Sequence, residues 1–272
     1  MSTIPKSAEN RIRDGIKKYK NVLKTAKDRD VNESDTVTIV IDMLSDICGY
    51  DKYGDITKEY AIRGTFCDLA IKLEEKVIFL IEVKAIGISL KDNHLRQALQ
   101  YASSSGIEWV ILTNGDYWQA HRVLFEKPIN TEVAFDFSFI DTTKVSKLIE
   151  FFFLLGKEGA KKSAIDIYHE ERQLTSRFMI AHIIQTESVL NLIRKQLRTL
   201  SNKVKITNDE ILTTLQLQIL KREVTEGEEA AQAKKRLAAA FRVKKSSQIK
   251  KGDKEIESVK ESIASIKPQN VM

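Results

Sequence analysis

The sequence predicts an α/β domain, a mixed central sheet flanked by helices, followed by an all-helical C-terminal region. Three observations predict it. Residues 66–71 and 77–84 are apolar runs joined by a polar turn at 72–76, as expected of paired strands. A further run, EWVILT at 108–113, follows a helical segment, so strand, helix and strand alternate. From Thr142 onward only helical periodicity is found.

The chain opens with a helix over residues 7–27, where Ile12, Ile16, Tyr19 and Leu23 form a narrow stripe ringed by Lys17, Lys18, Lys20 and Lys24. A polar break at 28–35 leads into a second helix. Asn32 or Ser34 caps it, Val37, Val40, Ile41, Leu44 and Cys48 form its buried face, and Gly49 follows its end. Residues 50–57 read as a turn-rich loop and 58–62 as a short edge strand. The run 77–83 is almost continuously apolar, which suits a central strand covered on both faces. Asp92 caps a helix reaching about Ser104, and 108–113 is another buried-type strand. Asn114-Gly115-Asp116 then turns the chain into a strand at 117–123, and the α/β domain ends near residue 140.

Met179, Ile183, Thr186, Leu190, Ile193, Leu197 and Leu200 form a heptad seam with one polar interruption. It predicts a long helix packed on a partner helix, either within the chain or in a second copy as a homo-oligomer. Another helix begins at Asn208 or Asp209 and contains Ile211, Leu212, Leu215, Ile219 and Leu220. The expected segments are a basic N-terminal helix (1–31), the α/β core (32–140), a coiled-coil-like helical region (141–226) and a basic helical or disordered tail (227–272).

Hydrophobic residues make up 42% of the 272 and charged residues 30%, the balance of a soluble globular protein. No signal peptide precedes residue 30, and no apolar run approaches the roughly 20 residues needed to span a bilayer, which excludes a membrane partner. Cys48 and Cys67 form neither a disulfide framework nor a metal spacing, which fits a reducing cytoplasm. The net charge of +6 is unevenly spread. Residues 1–150 hold 21 Lys and Arg against 23 Asp and Glu, whereas 151–272 hold 23 against 15. Lys244, Lys245, Lys250 and Lys251 are therefore candidate contacts to nucleic-acid phosphates, with a solvated helical surface as the plainer reading.

The informative charges lie in the apolar strands. Asp68 stands in the first run and Glu82-Val83-Lys84 ends the second. If Leu73 faces Val77, then Asp68 faces Glu82, and two carboxylates at about 5 Å repel unless something positive lies between them. A divalent cation answers that need, and Mg²⁺ favours one or two carboxylates with waters and phosphate oxygens. Lys84 projects to the same side, where it could orient a water or stabilise phosphate charge. The competing reading is an ion pair between Lys84 and Glu82. The apolar strand, the partner Asp68 and the following helix, with Gln97 and Tyr101 one turn apart, favour the metal site. Glu74-Glu75-Lys76 has the same Glu-x-Lys spacing but lies in the turn, where solvent accounts for it.

These residues resemble the PD-(D/E)xK nuclease superfamily, and more narrowly the N-terminal nuclease domain of type I restriction enzyme R subunits in a stand-alone form. The narrower resemblance rests on Asn32-Glu33 opening a helix, Arg63-Gly64 before the Asp68 strand, Gln97-x-x-x-Tyr101, and Asn114-Gly115 in the hairpin. It covers about residues 33–123. It implies a restriction-endonuclease-like core and metal-dependent phosphodiester hydrolysis. Asp68 and Glu82 would hold Mg²⁺ (or Mn²⁺) with the Val83 carbonyl, and Lys84 would assist the water. Gln97 and Tyr101 would support the site or touch the DNA backbone, and Glu33 would be the acid of the first core helix. DNA and other defence-system subunits are the implied partners. Cys67 stands where the family motif has proline, and the ATP-driven motor of R subunits has no counterpart here.

Other candidates fit structure better than chemistry. Residues 156–163 superficially resemble a phosphate-binding loop, but Lys161 occupies the required glycine position. His94 reads as a surface histidine, and His121, His169 and His182 have no ligand spacing. Trp109 and Trp118 read as core, as does Cys67. The leading expectation is a Mg²⁺-dependent DNA endonuclease. The alternative is a non-cleaving nucleic-acid-binding or assembly module that keeps the nuclease fold as a scaffold.

Overall fold

In the computed structural model, which describes residues 3–62, 65–126, 128–201 and 203–242, the chain divides into Met1–Glu170 and Glu171–Met272. Arg63, Gly64, Lys244, Lys245, Lys250 and Lys251 lie outside the described residues, as does most of the expected tail.

The strand-forming runs of the first unit line up in chain order as one mixed sheet: β1 (Ile56–Ile62), β2 (Thr65–Leu73), β3 (Lys76–Val83), β4 (Trp109–Thr113), β5 (Tyr117–Leu124) and β6 (Asn130–Ser138). Only β3 and β4 are parallel. A parallel pair needs a crossover, which α3 (Asp92–Ser105) supplies. Its apolar stripe of Leu95, Ala98 and Ala102 covers one face, over Ala70, Leu80, Val110 and Leu112. The other face is covered by α1 (Lys6–Asp28), α2 (Glu33–Asp46) and α4 (Val145–Leu155). The run 77–83 is thus sandwiched, as its continuous apolarity requires.

Three features differ from the sequence-based expectation. The N-terminal helix is no separate segment: Ile12, Ile16, Tyr19 and Leu23 are all buried in the main core. A sixth strand extends the sheet where residues 124–140 carried no assignment. The alternation of Phe135, Phe137 and Phe139 carries its signal, and Phe135 and Phe137 stack on Phe151 of α4 at 4.9 and 5.0 Å. The chain continues through α5 (Lys157–Ala160) and α6 (Ala164–Leu174).

The third difference is the heptad seam, which lies on two helices of the second unit, α7 (Arg177–Ile184) and α8 (Glu187–Leu200). Its polar interruption is the break. Thr186 is extended (ψ 148°), forms the N-cap of α8 and donates its hydroxyl to the Ile183 carbonyl at 2.7 Å. Beyond it, Leu190, Ile193 and Leu197 pack within the chain on Ile211 of α9 (Asn208–Thr214) and on Leu215. Among the described residues no helix is long and apolar enough to cross a membrane.

Candidate active site

The hairpin of β2 and β3 turns at Glu74 and Glu75, which both adopt left-handed backbone (φ 51° and 64°), with Leu73 facing Lys76. That register, continued, would set Asp68 opposite Ile81. It is not continued. Ile78 is an extra residue of β3 between the pairs Lys72–Val77 and Ile71–Phe79, and this bulge shifts the register by one. The pairs Ala70–Leu80 and Leu69–Ile81 follow, and the next step sets Asp68 beside Glu82. The arrangement expected from Leu73 facing Val77 is reached by a tighter turn plus a bulge.

There the ladder stops. The Val83 amide donates to Asp68 Oδ2 at 2.7 Å, so a side-chain carboxylate takes the place of a strand carbonyl. On its other flank Val83 pairs with Thr113, and the Lys84 amide donates to the Thr113 carbonyl at 2.8 Å. The ladder between β1 and β2 is also interrupted here: Lys58 pairs with Leu69 and Tyr60 with Cys67, while Glu59 between them has a left-handed φ of 46°.

Lys84 Nζ lies 2.7 Å from Glu82 Oε1 and 3.6 Å from Glu33 Oε2. Glu33 opens α2, whose N-cap Asn32 accepts the Asp35 amide through its side chain. Burial raises the carboxyl of Asp68. The Val83 amide and Lys84 oppose that shift, while Glu33 and Glu59 add to it. Burial likewise raises Glu82, against the bond from Lys84 and with the charge of Asp68. For Lys84, burial alone would lower the ammonium. Its bond to Glu82 and the fields of Glu82, Asp68 and Glu33 outweigh that and hold it above its ordinary range. Three carboxylates, those of Glu82, Asp68 and Glu33, thus act on one ammonium.

Gln97 and Tyr101 have a different place. Gln97 Nε2 donates to the Phe66 carbonyl at 3.0 Å and to the Tyr101 hydroxyl at 2.7 Å, tying α3 to β2 two residues before Asp68. They brace the strand that carries Asp68. Trp109, Trp118 and Cys67 are buried, and burial pushes the Cys67 thiol up to about 12. His169 has a carboxylate partner after all, Glu132 Oε2 at 3.0 Å, in a structural contact beneath Trp109.

Two supports of the site carry little signal in sequence. Thr36, fully buried on α2, accepts the Ile86 amide at 3.2 Å and donates to the Asn32 carbonyl at 2.8 Å. Asn114 donates through Nδ2 to the carbonyls of Ile86 (3.2 Å) and Ile88 (2.9 Å), and its Oδ1 accepts the Tyr117 amide at 2.6 Å. As part of an Asn-Gly turn it is legible only as a turn residue. Glu59 is likewise unremarkable in sequence, and only its backbone marks it.

Among the described residues no three His, Cys, Asp or Glu side chains are grouped as a metal site by themselves. Asp68 and Glu82 supply two hard oxygen donors, a set that suits Mg²⁺ with carbonyl, water and phosphate oxygens completing the shell.

Residues 33–133 match the type I restriction enzyme R protein N terminus (HSDR_N). The matched stretch runs from the first residue of α2 into β6 and includes Glu33, Asp68, Glu82, Lys84, Gln97, Tyr101 and Asn114. No curated protein and no solved structure matches the chain.

Proposed function

We propose that the protein is a Mg²⁺-dependent DNA endonuclease of a restriction or defence system, with a PD-(D/E)xK core formed by the stretch that matches the R-protein N terminus. The observation that carries this is the meeting of Asp68, Glu82 and Lys84 at the point where β2 and β3 part. Two desolvated carboxylates side by side in a core are unfavourable unless a cation is their normal partner. The plain ion pair between Lys84 and Glu82 neutralises one of them and leaves Asp68 with an amide.

Asp68 and Glu82 would hold Mg²⁺, joined by the Val83 carbonyl and with Mn²⁺ as a substitute. The bound ion would polarise the scissile phosphate and lower the pKa of its water. Lys84 orients the attacking water and balances charge on the phosphoryl oxygens, with the Glu82 carboxylate holding its ammonium in place. Gln97 and Tyr101 keep α3 on β2, so that Asp68 stays in register. Glu33 draws Lys84 toward α2 and sets its second contact.

The test is incubation with linear, circular and single-stranded DNA, and with RNA, with and without Mg²⁺ or Mn²⁺. Wild-type protein is expected to cut DNA only with the ion. Asp68→Ala and Lys84→Ala are expected to abolish cutting while leaving the circular dichroism spectrum unchanged. Unaltered cutting in either variant overturns the assignment. Salt-sensitive DNA binding without turnover would instead favour a scaffold that binds and does not cleave.

A further inference from the structure

We infer that Asn114 is a positioning residue for the reaction: with Thr36 it clamps the loop that follows Lys84 and so aims the Lys84 ammonium. This rests on the reading of Lys84 as the group that faces the attacking water and phosphate.

Lys84 is the first residue past the end of β3, and among the described residues its backbone is held on one side only, by the Thr113 carbonyl. A lysine at a frayed strand end would sweep several ångströms, because its own side chain has four flexible bonds. The loop 85–88 removes that freedom. It folds back on itself through the Ile88 amide and the Ala85 carbonyl at 2.9 Å, and buries Ile86. Two polar side chains from different elements then grip it. Thr36 of α2 accepts the Ile86 amide, and Asn114, past the end of β4, donates both hydrogens of its amide, one to Ile86 and one to Ile88.

Each grip is preorganised. Thr36 Oγ1 is anchored by its own bond to the Asn32 carbonyl, and Asn114 Oδ1 by the Tyr117 amide. Asn114 is 7% exposed and Thr36 fully buried, so neither bond competes with bulk water. Asparagine suits the position because a single planar amide presents two donors to two carbonyls and one acceptor to an amide. Threonine suits the other because its hydroxyl accepts and donates at once.

The clamp also links the parts of the site. Thr36 lies one helical turn after Glu33, the second carboxylate on Lys84, so the helix that grips the loop also carries an acid onto the ammonium. Asn114 directly follows Thr113, whose carbonyl holds the Lys84 amide. Releasing the clamp would leave Asp68 and Glu82 where they are and loosen Lys84 alone. That predicts a loss in turnover rather than in binding.

The experiment compares steady-state cleavage and DNA affinity for wild type, Lys84→Ala, Asn114→Ala, Thr36→Val and Thr36→Ser, all charge-neutral at the clamp. Asn114→Ala and Thr36→Val are expected to lower kcat by about 10²-fold with KM and DNA affinity within about two-fold, the size of effect that a displacement of about 1 Å produces. Thr36→Ser, which keeps the hydroxyl, is expected to retain wild-type kcat. Should Asn114→Ala fail to fold, the Thr36 pair carries the test. Wild-type kcat in Thr36→Val, or a loss that Thr36→Ser does not restore, overturns the inference while a dead Lys84→Ala upholds the site. Wild-type cutting by Lys84→Ala overturns the site reading itself. Exchange of the Ile86 and Ile88 amides, slow in wild type and fast in Asn114→Ala, reads the clamp whether or not the protein turns over; slow exchange in both overturns it.

Discussion

The carboxylate of Asp68 accepts the backbone amide of Val83 at 2.7 Å, so the strand pair that builds the candidate site ends in a side-chain bond and not in a ladder bond. This fixes the acid without satisfying its charge. Among the described residues the other oxygen of Asp68 accepts no hydrogen bond, Glu82 lies beside it, and burial raises both acids.

Asp68→Asn should therefore stabilise the protein in the absence of divalent ions. The folded carboxyl is raised above its unfolded value, so its stabilising contribution is full below the ordinary carboxyl range and is lost as pH rises through the raised value. At neutral pH the charge is a cost, and Asn removes it while its oxygen still accepts the Val83 amide. A melting temperature a few degrees above wild type at pH 7 is expected. Added Mg²⁺ is expected to raise the wild-type melting temperature and leave the variant unmoved.

His121 takes away stability on the acid side, against the gain that protonation of the raised Asp68 and Glu82 carboxyls supplies. It is 3% exposed, neither ring nitrogen has a hydrogen-bond partner among the described residues, and burial lowers it to about 4, against opposing fields from Asp92 and Asp136. The folded value lies below the unfolded 6.5, so the His121 contribution is complete above that pH and falls as pH drops toward 4, by about 1.4 kcal/mol per pH unit. Across that window the urea midpoint of wild type should fall relative to that of His121→Leu, which carries the same carboxyls and lacks the ring. The acids held low by Arg11 and Lys18, Glu158 and Asp46, add a loss that begins only as pH falls to their ordinary values of 4.5 and 3.8.

Arg11 should not tolerate lysine. Its guanidinium spans both oxygens of Glu158 at 2.6 Å and also reaches the Ile47 carbonyl at 3.1 Å, joining α1 to the end of α2 and to α5. Lysine keeps the charge and loses the fork. With both side chains about a third exposed, a loss of about 1–2 kcal/mol in chemical denaturation is expected for Arg11→Lys.

Tyr101→Phe should cost about 0.5–1 kcal/mol and Gln97→Ala somewhat more, because it also loses the bond to the Phe66 carbonyl, and the double variant little more than Gln97→Ala alone, because the Gln97–Tyr101 bond is common to both. Independent, additive losses would show that Gln97 and Tyr101 do not act as one brace.

Much of this was legible in the sequence, for identifiable reasons. The strands carrying Asp68 and Glu82 are strongly apolar, and charges in such runs stand out. Pairing of those two residues follows from counting, although the count assumed a turn that the chain does not make. Glu74 and Glu75 are poor candidates for left-handed backbone, so nothing local announces the tight turn or the bulge that compensates for it. The heptad seam illustrates the opposite error: its periodicity is real, but Thr186 interrupts it with a cap, and periodicity alone does not register a change of helix. The clamp of Thr36 and Asn114 was out of reach because its partners are backbone atoms about 50 and 26–28 residues distant, which no pattern of side chains encodes.

The bulge at Ile78 makes the chemistry of this hairpin a matter of parity. Every site residue could be intact, and every strand well packed, yet adding one residue between the turn and Phe79 with the bulge retained would bring Ile81, not Glu82, alongside Asp68, whereas loss of Ile78 itself would straighten the ladder and keep the pair. A chain of this kind can lose its proposed activity through a change of length that alters none of its charged groups. A compensating deletion in the same interval could restore it. Relatives that keep Asp68, Glu82 and Lys84 by identity are therefore to be judged on the number of residues between them as much as on the residues themselves.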